Sequence, residues 1–173
     1  MLEADLIYCD PPWNTSMVNG YYTKAHMPDI RSNFKDLIST FFSRIRQINP
    51  KACYIEIGKQ GVQRVADMLK DIYPVVEVFD TFYYKTKPCH LVRGGYDRAK
   101  FSFNGLDEAP MVRGILESEA FGCIADICMG RGLTGTEAFK AGKRFVGTEL
   151  NKRRLACCIE RVAALGGDWG ELK

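Results

Sequence analysis

The chain has 173 residues and a mass of 19.5 kDa, the size of one globular domain, so a single domain and not a multi-domain enzyme is expected. Hydrophobic residues at 46% and charged residues at 26% supply a real core and exclude disorder of the whole. Lys and Arg (24) against Asp and Glu (21) leave a net charge of +3, which permits an anionic partner without demanding one. No apolar run approaches the ~18 residues of a membrane span. Met1-Leu2-Glu3-Ala4-Asp5 lacks the basic and apolar segments of a secretory leader, so a cytoplasmic protein with no membrane partner is expected. The seven cysteines (Cys9, Cys53, Cys89, Cys123, Cys128, Cys157, Cys158) form an odd set without C-x-x-C spacing. Reduced structural thiols are expected, with neither disulfides nor zinc.

Ala4-Asp5-Leu6-Ile7-Tyr8-Cys9 reads as a short buried strand, halted by Asp10-Pro11-Pro12-Trp13 because two prolines continue neither strand nor helix. Residues 14–30 are polar and turn-rich, with Asn14, Asn19, Gly20 and Pro28, and are expected to form a long loop over the top of the domain. From Ser32 to Ile48 apolar residues recur every three or four positions (Phe34, Leu37, Ile38, Phe41, Phe42, Ile45, Ile48), the period of an amphipathic helix, which Asn49-Pro50 ends. Ala52 to Gly58 is the next strand, Gly61 to Ile72 a helix, and Val75 to Tyr84, rich in branched and aromatic residues, a long strand. Lys85 to Lys100 is the one charge-biased stretch, with Lys85, Lys87, Arg93, Arg98 and Lys100 against Asp97 alone. The pair Gly94-Gly95 and Tyr96 predict that it is a mobile loop. Met111 to Glu119 is helical, Gly122 to Asp126 a strand entering a glycine-rich turn, Gly135 to Ala141 a helix, Arg144 to Glu149 a strand and Lys152 to Ala164 a last helix. This succession predicts an α/β fold, a Rossmann-like, doubly wound, mostly parallel sheet with helices on both faces.

Two motifs carry chemistry. The first is Asp10-Pro11-Pro12-Trp13 at the end of a buried strand. A carboxylate held there can accept a hydrogen bond from the exocyclic amine of a planar base, and the Pro11-Pro12 carbonyl can accept a second. Two acceptors on one NH2 pull its lone pair out of conjugation, so the nitrogen becomes nucleophilic toward a sulfonium methyl group. Trp13 is placed to stack on the base, a contact worth about 1–3 kcal/mol. The second motif is the turn Asp126-Ile127-Cys128-Met129-Gly130-Arg131-Gly132-Leu133-Thr134-Gly135, followed by Glu149 at the end of the next strand. Glycines allow close backbone approach of a nucleotide cofactor, and the acid accepts both ribose hydroxyls. The turn departs from the dinucleotide fingerprint. S-adenosylmethionine fits at least as well, because it has no phosphates and carries a charged methionine portion that Asp126 can face.

Together these residues resemble the amino-methyltransferases of DNA, whose catalytic motif is D-P-P-W/Y and whose cofactor motif reads like D-P-F-C-G-S-G-T-T-G. Arg144-Phe145-Val146-Gly147-Thr148-Glu149-Leu150-Asn151 is similar to the family's R-F-I-G-I-E-x-N strand. The catalytic motif comes first, so the resemblance is to the circularly permuted, beta-type group, and it covers nearly the whole chain. It implies a single class I S-adenosylmethionine-dependent methyltransferase domain over 1–173, with the catalytic motif at 4–13, a short recognition segment at 85–109 and the cofactor region at 122–151. Asp10, Pro11, Pro12 and Trp13 are the implied catalytic residues. Asp126, Cys128, Met129, Gly130, Gly132, Thr134, Glu149 and Asn151 are the implied cofactor contacts. The segment Asn104 to Pro110 also touches the cofactor in that group, although Glu108-Ala109-Pro110 here keeps only the proline of the family's K-P pair. Aspartate at position 10, where cytosine-modifying relatives carry serine, implies adenine N6 as the methyl acceptor.

A base inside a duplex cannot reach Asp10, so the target must be flipped out or presented single-stranded. Tyr21, Tyr22 and Lys24 are placed to close over it, and Lys85, Lys87, Arg93, Arg98 and Lys100 to neutralise phosphates. The implied partner is DNA, with RNA the alternative. So small a chain leaves little room for recognition, which implies short or relaxed sequence recognition, a homodimer whose second subunit supplies DNA contacts, or a partner protein that brings specificity. Small solitary enzymes of this type are common in phages, which implies a bacterial host cytoplasm. A silent nucleic-acid-binding subunit and a dinucleotide-dependent oxidoreductase are the competing classes. No metal dependence is expected.

Overall fold

The computed structural model describes residues 3–168 and 170; Met1 and Leu2, on which the leader reading partly rests, lie outside them. Six strands form one sheet: β1 (Leu6–Cys9), β2 (Ala52–Ile57), β3 (Val75–Tyr83), β4 (Lys87–Gly95), β5 (Cys123–Asp126) and β6 (Arg144–Gly147), in the order β3-β4-β2-β1-β5-β6. Six helices accompany them: α1 (Thr15–Lys24), α2 (Phe34–Ile48), α3 (Val62–Lys70), α4 (Glu108–Ser118), α5 (Leu133–Lys140) and α6 (Lys152–Ala164). β1 pairs in parallel with β2 and β5, β5 does so with β6, and β4 runs antiparallel to both its neighbours. Thus β4 alone opposes the other five strands.

The central strands are buried on both faces, and their alternation sorts the core into two layers. Ile7, Cys9, Cys53, Ile55 and Ile57 point to one side, where Ile38, Phe42 and Ile45 of α2 and Val65 and Leu69 of α3 cover them. Leu6, Tyr8, Ala52 and Tyr54 point to the other, against Met111, Val112 and Ile115 of α4 with Phe103 and Phe121. Among the described residues no helix is long and apolar enough to cross a membrane, and all seven cysteines are free.

Two expectations are corrected. Residues 15–24 form α1 within the expected loop: Asn14 Oδ1 accepts from Met17 N at 2.9 Å and caps the first turn. Val18 is its one buried residue, so periodicity carried little signal there. The basic stretch is largely β4, an interior strand, and Gly94 and Gly95 are buried ladder positions paired to Val76 and Val75. Gly94 serves close packing, since a Cβ there would lie 3.1 Å from Leu69 Cδ2 and closer still to the Tyr73 ring.

Candidate functional site

The carboxyl ends of β1 and β5 lie side by side, with Tyr8 opposite Asp126 in the register. Asp10 follows the first strand and the glycine turn follows the second, so both motifs open on one cavity of about 800 Å3, within the usual ~300–1,000 Å3 of small-molecule sites. Asp10, Pro12, Tyr21, Tyr22, Asp126, Cys128, Met129, Gly130, Thr134 and Glu149 line it. This is the crevice at strand ends where open α/β sheets bind ligands.

The glycine turn is built from inside. Asp126 is 3% exposed and accepts from Cys128 N at 3.0 Å and from Thr134 Oγ1 at 2.8 Å, so its carboxyl braces the turn and Thr134 serves Asp126. Burial pushes its pKa up to about 7. Gly132 has φ +77° and lies outside the cavity lining; a Cβ there would overlap Cys158 of α6. Its role is to let the turn pack on that helix. Glu149 Oε1 accepts from Asn151 N at 2.7 Å. Asn151 also stands outside the lining: its Oδ1 caps α6, and its Nδ2 donates to Lys24 O at 2.8 Å, which ties α1 to the start of α6. The cavity volume, the glycine-rich wall and Glu149 in the lining fit a nucleoside-bearing cofactor.

At the Asp10 end of the cavity, Trp13 Nε1 donates to Asp10 Oδ1 at 3.0 Å, leaving the second oxygen uncommitted to it. The Trp13 ring lies under the Lys87 ammonium, 4.5 Å from its centroid, and edge-on to Tyr83. Gly58 is closely packed on it, for a Cβ there would come 2.7 Å from Trp13 Cε3. Trp13 therefore braces Asp10 and packs against Gly58 and Lys87, outside the cavity lining. Tyr83 and Tyr84, at the tip of the β3–β4 hairpin, line the cavity instead. Tyr84 and Lys85 have φ of +50° and +65°, and Lys85 N donates to Asp107 Oδ1 at 2.8 Å, which docks the tip on the start of α4.

Sequence reasoning missed Glu56, on β2. It is fully buried, accepts from Tyr8 Oη at 2.7 Å and Cys89 Sγ at 3.2 Å, and burial pushes its pKa up to about 7. Glu108 and Asp107 of the 104–110 segment do reach the cavity. Burial, and next the Glu56 charge, hold Asp10 well above the usual carboxylate range. A lone acid inside Cys53-Tyr54-Ile55-Glu56-Ile57 was the available signal. Because these carboxyls are raised by folding, their protonated forms favour the native state. That contribution is complete below about pH 4 and is lost as pH rises through about 7. Thermal melts of the ligand-free protein are therefore expected to show a higher midpoint at pH 5.5 than at pH 8.

The five basic residues are not brought together. Lys85 and Lys87 stand at the cavity end of β4, while Arg98 and Lys100 follow its other end, roughly 26 Å away along the strand. Arg93 lies between, 3% exposed. Its guanidinium donates to Glu119 Oε1 at 2.9 Å, Glu77 Oε2 at 3.2 Å, Tyr54 Oη at 2.9 Å and Asp97 O at 2.6 Å. It is a structural ion-pair hub, not a phosphate contact.

The sheet order with its one reversed strand, the helices on both faces and the cavity at the strand ends define the class I S-adenosylmethionine-dependent methyltransferase fold. No protein-family model and no curated protein matches the chain. Among solved structures it is similar to the M1.HpyAVI–SAM complex (14% identity, TM-score 0.68, covering 92% of this chain and 89% of that one). It is also similar to TTHA0409 of Thermus thermophilus, named as a putative DNA modification methylase and complexed with S-adenosyl-L-methionine (14%, 0.66, 95% and 88%). A third is the cytosine-N4-specific PvuII DNA methyltransferase (11%, 0.58, 92% and 79%).

Proposed function

We propose that the chain is a DNA methyltransferase that transfers the methyl group of S-adenosylmethionine to the N6 amine of adenine. The observation that carries this reading is that Asp10 of the D-P-P-W motif and the Asp126–Gly130 turn with Glu149 share one cavity. Glu149 would hold the ribose, and the glycine turn the adenosyl and methionine portions. When bound, the cofactor supplies an electrophilic sulfonium methyl carbon. The uncommitted Asp10 oxygen and a Pro11-Pro12 carbonyl accept the two N6 hydrogens, which localises the lone pair on nitrogen. Tyr83 and Tyr84 are the rings placed to stack on a flipped base. After transfer the methylated amine is cationic, and its proton passes to Asp10 or to water.

Cytosine N4 is the second reading, favoured by the likeness to a cytosine-N4 enzyme; Asp10 in place of serine favours adenine. Incubating the purified protein with labelled S-adenosylmethionine and matched DNA or RNA, then resolving the modified nucleosides, tests both. N6-methyladenine from DNA is the expected product. N4-methylcytosine, or label in RNA alone, would overturn the reading.

Lys85 and Lys87 flank the cavity and belong to the proposed phosphate contacts, with Tyr21, Tyr22 and Lys24 on the α1 side. Lys85→Ala is expected to reduce the slope of log affinity against log salt by about 0.9 on duplex DNA, measured by fluorescence anisotropy. Arg98→Ala, at the far end, should leave that slope unchanged.

A further inference from the structure

One oxygen from each of the Asp10, Glu56 and Glu108 carboxyls lies within 4.8 Å of the others. Asp10 and Glu108 line the cavity, whereas Glu56 stands behind Asp10 with no exposed surface. Tyr8 from β1 and Cys89 from β4 donate to Glu56, and Thr81 of β3 contacts Cys89 at 3.3 Å. Asp107 and Glu108 face it from the start of α4, Asp126 adds its field to Asp10 from β5, and Lys87 is seated over Trp13 at the rim. Apart from Lys87 at the rim, neutral donors and further acids thus surround the pair. Like-charged carboxyls this close together and largely buried do not all ionise at neutral pH.

We infer that Glu56 is a positioning residue for the proposed methyl transfer: its carboxyl, within 4.8 Å of Asp10 and held by Tyr8 and Cys89, shares a single negative charge with Asp10 and so sets the pH at which Asp10 becomes the acceptor of the N6 hydrogen. This rests on the methyltransferase reading above. The two groups titrate as a pair, and the pH at which Asp10 becomes an acceptor belongs to both. When N6 sheds its proton, the N–H electrons stay on nitrogen and the proton moves to the Asp10 carboxylate. Both members of the pair are then protonated, and one proton returns to solvent through the cavity.

The test is the pH profile of kcat/KM for methyl transfer to adenine-containing DNA by wild type, Glu56→Gln and Tyr8→Phe. Glu56→Gln keeps the shape of the side chain and removes the competing carboxyl. The acid limb is expected to move down by about one pH unit, raising kcat/KM about tenfold well below the wild-type limb. Tyr8→Phe removes a donor to the ionised pair and should move the limb the other way. A uniform loss of rate with unmoved limbs would make Glu56 merely structural and overturn the inference. So would activity lost in a chelator and restored by magnesium, because a cation and not a proton would then separate the charges. A wild-type protein that methylates no DNA would instead overturn the functional reading.

Discussion

Asp10→Asn is expected to lower methyl transfer by roughly 10²–10³-fold, the usual cost of removing one group that stabilises charge in the transition state, and to raise the melting temperature at pH 8. The loss follows from the acceptor role: an amide oxygen is a weaker acceptor than a carboxylate, and the amide NH2 opposes the incoming amine. The gain follows from burial. Asp10 is held well above the usual carboxylate range by desolvation and by Glu56, so the native state prefers it protonated. At low pH, wild type and variant carry the same neutral group. As pH rises through the folded-state pKa, wild type must ionise a buried acid beside another and loses stability, while Asn does not. Each tenfold displacement of that ionisation corresponds to about 1.4 kcal/mol. The Trp13 Nε1 bond survives on the amide oxygen, so the fold keeps its local brace. Melts at pH 5.5 and 8, alongside rates on adenine DNA, check both halves; a variant less stable than wild type at pH 8 would contradict the account.

Arg93→Met should be the most damaging single change to the fold, costing about 3–5 kcal/mol, as removal of one partner from a buried ion pair commonly does. Its ion pairs with Glu77 and Glu119 join β4 to β3 and to the residue that ends α4. Tyr54 also donates to Glu119 beneath the guanidinium. Without the cation, two largely enclosed carboxylates and the Asp97 carbonyl lose their partner together. Urea denaturation is the direct measurement, and Glu119→Gln added to Arg93→Met should recover part of the loss. DNA affinity of the variant under conditions where it remains folded is expected to match wild type, which a phosphate-contacting arginine would not allow.

The amphipathic helices α2, α3 and α6 and the apolar strands β1, β2 and β5 were legible because their signals are local: a period of three to four, a run of branched residues, a proline or glycine stop. α6 spans Lys152–Ala164 as expected, and α4 and α5 begin only three and two residues before the expected starts. α1 escaped because its exposed, polar sequence has little period and includes Gly20. β4 escaped because its charge was counted along the chain. Arg93 has only Asp97 for company in its own stretch, yet Glu77 and Glu119 meet it across strands and behind the sheet.

The candidate site divides in the same way. By itself the sequence determined the order of elements other than α1 and β4, the Asp10-Pro11-Pro12-Trp13 and Asp126–Gly135 motifs and Glu149, since each depends on residues close together in the chain. Only the tertiary structure decided that Trp13 hydrogen-bonds Asp10 while Lys87 lies over its ring, that Tyr83 and Tyr84 face the cavity, and that the basic stretch is split across the sheet. It also decided that Glu56, 46 residues beyond Asp10 in the chain, comes to share its environment. The reason is physical: strand pairing sets β2 beside β1 and β4 beside β2, and burial then makes neighbours of charges whose mutual energy depends on distance in space.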